Sequence, residues 1–146
     1  AFPGARVLGV EGWARPGMGL CQLAQSWRWD GVEFTVLHPP PLFPYMHNDS
    51  SCVLRVEAGG RVALLPGDIG RHVEARLVRE HAGQLKADLL IVPHHGSMGS
   101  SSEPFIARVG PRWAVMSTGA ENRFHLPRAE VVDRYQQAGA QILDTA

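Results

Sequence analysis

The chain carries a single lysine against 13 arginines, and its 14 basic groups are balanced by 14 acidic ones. It therefore lacks the strongly basic surplus that drives tight non-specific nucleic-acid binding through phosphate neutralisation. Any such contact has to come from local clusters, for which Arg123, Arg128 and Arg134 are candidates beside the plainer reading of a solvated helix face. No apolar run approaches the roughly 20 residues that a membrane helix needs. Cysteine is scarce, and Cys21 and Cys52 lack the spacing of a zinc site. They could form one disulfide in an oxidising compartment, but Cys52 lies in an apolar run where a buried free thiol is ordinary. No repeat or low-complexity linker interrupts the 146 residues, and 45% hydrophobic with 19% charged content fits a single α/β core.

What is present centres on Leu89-Leu90-Ile91-Val92-Pro93-His94-His95-Gly96-Ser97. A short apolar run reads as a buried strand, and the residues just past such strands are where open α/β sheets present reactive groups. Two adjacent imidazoles there suggest a metal site. Upstream, Arg61-Val62-Ala63-Leu64-Leu65-Pro66-Gly67-Asp68 repeats the plan and ends on a carboxylate. Carboxylate oxygen and imidazole nitrogen are usual ligands for zinc or manganese. Between the two segments Ile69, Val73, Leu77 and His81 recur every four residues and Gly83 can stop the run, so 69–85 reads as one helix. A right-handed crossover makes the flanking strands parallel and, if they are neighbours, brings Asp68 and His94-His95 to one sheet edge. The spacing permits a shared ligand set without requiring one. An Asp after Pro-Gly also serves as a turn or cap residue, and histidines commonly hold surface roles.

Around this unit, Arg6 to Val10 reads as a short strand and Glu11 to Gln25 as a Gly-rich stretch holding Trp13 and Cys21. After Trp27 and Trp29, the alternation of Gly31-Val32-Glu33-Phe34-Thr35-Val36-Leu37 marks a half-buried strand. Pro39, Pro40, Pro41 and Pro44 keep 38–44 out of a central strand. Cys52 to Glu57 and Arg61 to Leu65 form a hairpin through Gly59-Gly60. Ser101 or Ser102 can cap a helix from Glu103 to Val109, with Pro104 in its first turn. Trp113 to Ser117 is a strand, Pro127 opens a helix that Gly139 ends, and Gln141 to Leu143 is a final strand. Residues 1–30 are thus an irregular lead-in to a strand and helix core over 31–146.

In order along the chain, Asn48-Asp49-Ser50-Ser51-Cys52-Val53-Leu54, Leu64-Leu65-Pro66-Gly67-Asp68, Ala87 to Ser97 and Ser100-Ser101 resemble the C-terminal metallo-β-lactamase-like domain of the ComEC family. That family comprises the inner-membrane channel proteins of competence DNA uptake. The likeness continues through Trp27-Arg28-Trp29-Asp30-Gly31-Val32, Leu37-His38-Pro39, Pro111 to Ser117, Asn122-Arg123-Phe124, Arg134 to Ala140 and Asp144-Thr145-Ala146. It implies an α/β fold of the αββα sandwich type. Metallo-β-lactamase-fold enzymes also carry a His-x-His-x-Asp-His cluster in their first half, and no two histidines here are separated by one residue. With no initial Met and no signal peptide, the chain is expected to be a fragment that begins after that cluster. The expectation is a single partial domain over 1–146, the C-terminal half of the sandwich.

The resemblance implies Asp68 as a catalytic, bridging metal ligand and His95 as a ligand of the second metal. His94 then contacts phosphate or transfers a proton, with the two histidines open to exchange. Ser97, Ser101 and Asn122 are expected to hold the substrate, although the serines suit a helix cap equally. His47 and Asp49 stand where other metallo-β-lactamase folds supply a further ligand. His125 is displaced by one from the family's histidine directly before its proline. Two divalent ions, zinc or manganese, are expected in the complete domain, and one or none here. The implied function is a metal-dependent nuclease that degrades the non-transported strand, inactive in this fragment alone. Its partners would be single-stranded DNA, the remaining half of the domain and the membrane channel domain. The full protein would lie in the inner membrane with this segment as a soluble domain on the periplasmic side. Two readings stand beside it: a hydrolase of small esters of the phosphorylcholine esterase or lactonase type, and a non-catalytic assembly module of a DNA channel. Missing sheet partners would expose apolar surface and favour a homo-oligomer.

Overall fold

A computed structural model describes residues 6–12 and 14–146 of the chain, so Trp13 lies outside the described residues. Leu8–Gly9 (β1) and Gly19–Leu20 (β2) pair in parallel as a small ribbon. The strand expected over Arg6 to Val10 is thus two residues long. The main sheet has seven strands: Ser26–Trp29 (β3), Val32–His38 (β4), Val53–Ala58 (β5), Arg61–Leu65 (β6), Leu89–Ile91 (β7), Trp113–Met116 (β8) and Gln141–Asp144 (β9). Their order in space is their order in the chain. Pairing is antiparallel from β3 to β6 and parallel from β6 to β9. The parallel connections carry Arg71–Glu80 (α1), Glu103–Val109 (α2) and Ala129–Gln137 (α3).

Two hairpins build the antiparallel half. They turn through Asp30 (φ 51°) and Gly31 (φ 81°), and through Gly59 (φ 55°) and Gly60 (φ 74°). Two successive left-handed residues fit a primed turn, whose twist matches that of the flanking strands. The first hairpin corrects the expectation of an irregular lead-in over 1–30, because Ser26–Trp29 is an edge strand and Asp30-Gly31 is its turn signal. The helix expected over 69–85 is also shorter. Gly70 is extended (φ −95°, ψ 178°) and donates its N–H to Asp49 Oδ1 at 2.8 Å, which delays the start to Arg71. At the other end His81 leaves the helical region (φ −128°, ψ 23°), and a short 3₁₀ turn follows at Ala82–Gln84.

One core unites the parallel half. Leu64, Leu90, Ala114 and Met116 of the sheet pack with Val73 and Leu77 of α1, Phe105, Ile106 and Val109 of α2, and Val131 and Tyr135 of α3. Each fully buried aliphatic or Phe side chain contributes about 1.5–3 kcal/mol. Side chains alternate across a strand, so the residues of opposite parity face away from this core. They too are apolar: Trp27, Phe34, Val56, Ala63, Leu89 and Trp113 lie in register across six strands. On this second face Trp27 is 40% exposed, Leu65 36% and Leu143 45%, so it is only partly covered.

Two long-range links fix the loops. Cys21 and Cys52 are joined in a disulfide with their Cα atoms 6.2 Å apart, which corrects the reading of Cys52 as a buried free thiol. Cys52 precedes β5 rather than lying within it, and so meets the buried Cys21 of the lead-in. On α1, the fully buried Glu74 accepts from Ser101 N at 2.5 Å and Ser102 N at 2.8 Å. This carboxylate supplies the cap of α2, since Ser102 occupies the N-cap position without a side-chain cap bond. Burial raises the Glu74 pKa above the ordinary carboxylate value, against the opposing pull of the bonds from Ser102 and Ser101.

Glu74→Ala leaves two amides of the 101–102 segment without their acceptor. It is expected to cost about 1–3 kcal/mol, read as a lower urea midpoint at unchanged m-value. An unchanged midpoint would show that the two amides find other partners.

Candidate metal-binding site

Parallel pairing of Ala63 with Leu89 and Leu64 with Leu90 puts the ends of β6 and β7 side by side. The His94 N–H donates to the Gly67 carbonyl at 3.0 Å and ties the two turns together. Asp68 Oδ1 then lies 3.4 Å from His95 Nε2, and both side chains are open to solvent, 40% and 48% exposed. The Nδ1 of His95 sits 2.6 Å from the Ser117 carbonyl oxygen. A carbonyl can only accept, so Nδ1 holds a proton, and a neutral ring directs its Nε2 lone pair at the carboxylate. With the ring neutral, two electron-pair donors face each other 3.4 Å apart, a spacing that a shared cation, whether a proton or a metal ion, would satisfy. An imidazole whose other nitrogen is fixed by a backbone carbonyl is the usual arrangement for a metal ligand.

The backbone that presents the imidazoles is left-handed at three successive residues, His94 (φ 50°), His95 (φ 56°) and Gly96 (φ 79°). Each of the two histidines costs about 1–2 kcal/mol in this region. Such strain collects where a side chain is held for function. Gly96 is required for a second reason, since a Cβ there would stand 2.6 Å from Pro127 Cβ.

The 47–51 loop holds the site from the antiparallel side. Ser51 Oγ accepts from the Asp68 N–H at 3.1 Å, and Asp49 Oδ1 takes the Gly70 N–H. Asn48 Nδ2 lies 3.2 Å from His94 Nε2. Beneath the loop, the buried His38 donates from Nε2 to the Asp49 carbonyl at 2.8 Å. Burial keeps the His38 pKa below its ordinary value, and the bond to Asp49 opposes the shift. On the other side, Thr145 Oγ1 accepts from Thr118 N at 3.1 Å and donates to Thr118 O at 2.8 Å. The end of β9 thereby pins the residue next to Ser117, whose carbonyl orients His95. The Thr118 hydroxyl donates to Asp144 Oδ1 at 2.7 Å and holds that carboxyl below the usual range.

The other residues singled out in the sequence sit as follows. His47 is left-handed and stacks at a tilt on Tyr45, with ring centroids 5.1 Å apart. Asp49 caps the approach to α1 through Gly70. Ser97 Oγ accepts from Gly99 N at 3.3 Å within its own turn. Ser101 is fully buried, and its hydroxyl accepts from Tyr135 at 3.0 Å, so it faces the interior. Asn122 closes its own loop, donating to Leu126 O at 2.7 Å and accepting from Leu126 N at 2.9 Å. His125 is exposed at the tip of that loop. Arg134 reaches the Ser101 carbonyl at 3.1 Å and so is not a free cation, whereas Arg123 lies over the exposed Phe124 ring at 4.8 Å. Among the described residues, no group of three or more His, Cys, Asp or Glu is arranged to hold a metal, so Asp68 and His95 stand as a pair. Sequence reasoning missed Asn48, Ser51 and the Thr118–Thr145 brace as partners of the site. Asn48 and Ser51 belong to a motif recognised as a string, without a role.

No protein-family profile matches the chain. In sequence it is similar to Competence protein ComA of Neisseria gonorrhoeae, 40% identical over 121 residues, covering 83% of this chain and 18% of that protein. ComE operon protein 3 of Bacillus subtilis is 38% identical over 114 residues, covering 78% of this chain and 15% of that one. Recombination protein 2 of Haemophilus influenzae is 34% identical over 127 residues, with coverage of 86% and 16%. The chain therefore spans less than a fifth of the length of these curated relatives. Among solved structures, a protein of Thermotoga maritima assigned as a Zn-dependent hydrolase of the metallo-β-lactamase superfamily matches with a TM-score of 0.57. The match covers 96% of this chain and 83% of that one at 13% identity, which shows the fold.

His38 gives the site a pH dependence with a definite sign. Unfolded, its imidazole protonates near the ordinary 6.5, and folded it does so only at lower pH. Between those values the unfolded chain binds more protons, so the His38 contribution is fully present above 6.5 and is lost as pH falls through the folded value. Urea midpoints measured across that window should fall more steeply for the native chain than for His38→Gln. Parallel slopes would remove His38 as the titrating group.

Proposed function

Because the chain belongs to the ComEC family of competence proteins and has the metallo-β-lactamase fold, we propose that it is the C-terminal half of a metal-dependent nuclease domain in a DNA-uptake channel protein. In this reading the domain degrades the strand that is not transported. The observation that carries it is the Asp68–His95 pair at the ends of two adjacent parallel strands, with the far nitrogen of His95 committed to Ser117. Asp68 and His95 would hold a divalent ion, zinc or manganese, which when bound supplies Lewis acidity toward a phosphoryl oxygen. The chain's own groups do the positioning. Ser51 fixes the backbone of Asp68, the Ser117 carbonyl fixes the ring of His95, and His94 stands beside them to meet the phosphate. A second ion would need further ligands, such as a His-x-His-x-Asp-His cluster, which these 146 residues do not contain.

The apolar second face of the sheet suits the same reading. It is the surface on which the remaining half of an αββα sandwich would pack. The Cys21–Cys52 disulfide fits a segment on the extracytoplasmic side of the inner membrane, where disulfides persist. No helix among the described residues is long and apolar enough to cross a membrane.

The test is cleavage of single-stranded DNA by the full-length protein with added manganese or zinc, beside Asp68→Ala and His95→Ala. Both variants are expected to fall to background. Undiminished cleavage in both would remove the pair from the chemistry, and no cleavage by a metal-loaded native protein would point to a different ester.

A further inference from the structure

Two adjacent histidines present their rings to opposite kinds of partner. His95 gives its Nδ1–H to the Ser117 carbonyl and turns its Nε2 lone pair toward Asp68. His94 meets an amide instead, with Asn48 Nδ2 3.2 Å from Nε2. An amide nitrogen only donates, so Nε2 of His94 is the acceptor and the neutral ring carries its proton on Nδ1. None of the described residues takes that Nδ1–H. We propose that Asn48 is a positioning residue that locks His94 as an outward N–H donor for a non-bridging oxygen of a phosphodiester, beside the cation-binding pair formed by Asp68 and His95. This rests on the phosphodiesterase reading of the site.

The geometry supports a fixed role for Asn48 rather than a passing contact. Its neighbour Asp49 is held at both ends, the carboxylate by Gly70 N and the carbonyl by His38. Ser51 is bonded to Asp68, and Cys52 is tied to Cys21. The His94 backbone is held at Gly67 in a left-handed conformation that its side chain alone would not select. Phosphodiester oxygens accept and never donate, so a neutral N–H is a matched contact that needs no extra positive charge.

The proton's position can be read without activity, by long-range ¹⁵N–¹H correlation of the imidazole nitrogens above about pH 8, where free rings are neutral. His94 is expected to be protonated at Nδ1 in the native chain. In Asn48→Asp the proton should move to Nε2, because a carboxylate only accepts, and in Asn48→Ala the preference should relax toward that of free imidazole. A native His94 protonated at Nε2 overturns the proposal, as does an unmoved tautomer in an Asn48→Asp chain whose amide spectrum shows the fold retained. In the full-length protein, Asn48→Asp should raise KM for single-stranded DNA about tenfold, as expected for one lost hydrogen bond to a charged group, with kcat less affected. An unchanged KM would overturn the phosphate contact. Failure of the nuclease reading is separate, since it shows as no metal-dependent cleavage by the native protein whatever the tautomer.

Discussion

The parallel pairing of β6 with β7 is the constraint on which the site depends. Each strand alone ends in a turn with one or two polar groups, and neither end has a reason to be near the other until Ala63 and Leu64 pair with Leu89 and Leu90. The crossover helix makes that pairing affordable by burying Val73 and Leu77 against Leu64 and Leu90 in the common core. Once the strands are in register, the His94 N–H reaches the Gly67 carbonyl, and the 3.4 Å separation of Asp68 and His95 follows. Apolar burial supplies the energy that holds two left-handed histidines in place.

Precision comes from a different source than position. The strand ends are brought together by hydrophobic packing, which is non-directional. Their side chains are aimed by hydrogen bonds from two flanks: the 47–51 loop on the antiparallel side, and the Thr118–Thr145 brace on the parallel side. The buried His38 and the disulfide anchor the first flank, and the end of β9 anchors the second. Glu74 performs the same service for Ser101 and Ser102, fixing their backbone from α1.

Local pattern made much of this legible. Arg61–Leu65 and Glu103–Val109 could be bounded to the residue, because a Gly-Gly turn and a Ser-Glu-Pro start are signals that act within a few positions. The strand, helix, strand unit and the convergence of Asp68 with the histidine pair followed from the same local signals and the handedness of crossovers. Asp30-Gly31 carried an equally local signal for the first hairpin. The strict alternation after it drew attention to one strand at the expense of its partner. The remaining misses are long-range. The Asn48–His94 contact spans 46 positions, the disulfide 31 and the Glu74 cap 27 and 28, and no periodicity encodes which distant groups will meet. The choice between His94 and His95 was open in the sequence for that reason, since the groups their rings meet, Asn48 and Ser117, come from loops distant in the chain.

In the main sheet every strand lies beside its predecessor in the chain, and none is inserted between two earlier ones. As the chain leaves the ribosome, each new strand therefore finds its partner's edge already exposed, and growth proceeds in one direction by adding to a single rim. The two tight hairpins close first, and each later parallel pairing has to close over an intervening helix. Such a sheet can also be lengthened or trimmed at either rim without rethreading it, which leaves the adjacent ends of β6 and β7, where Asp68 and His95 meet, undisturbed.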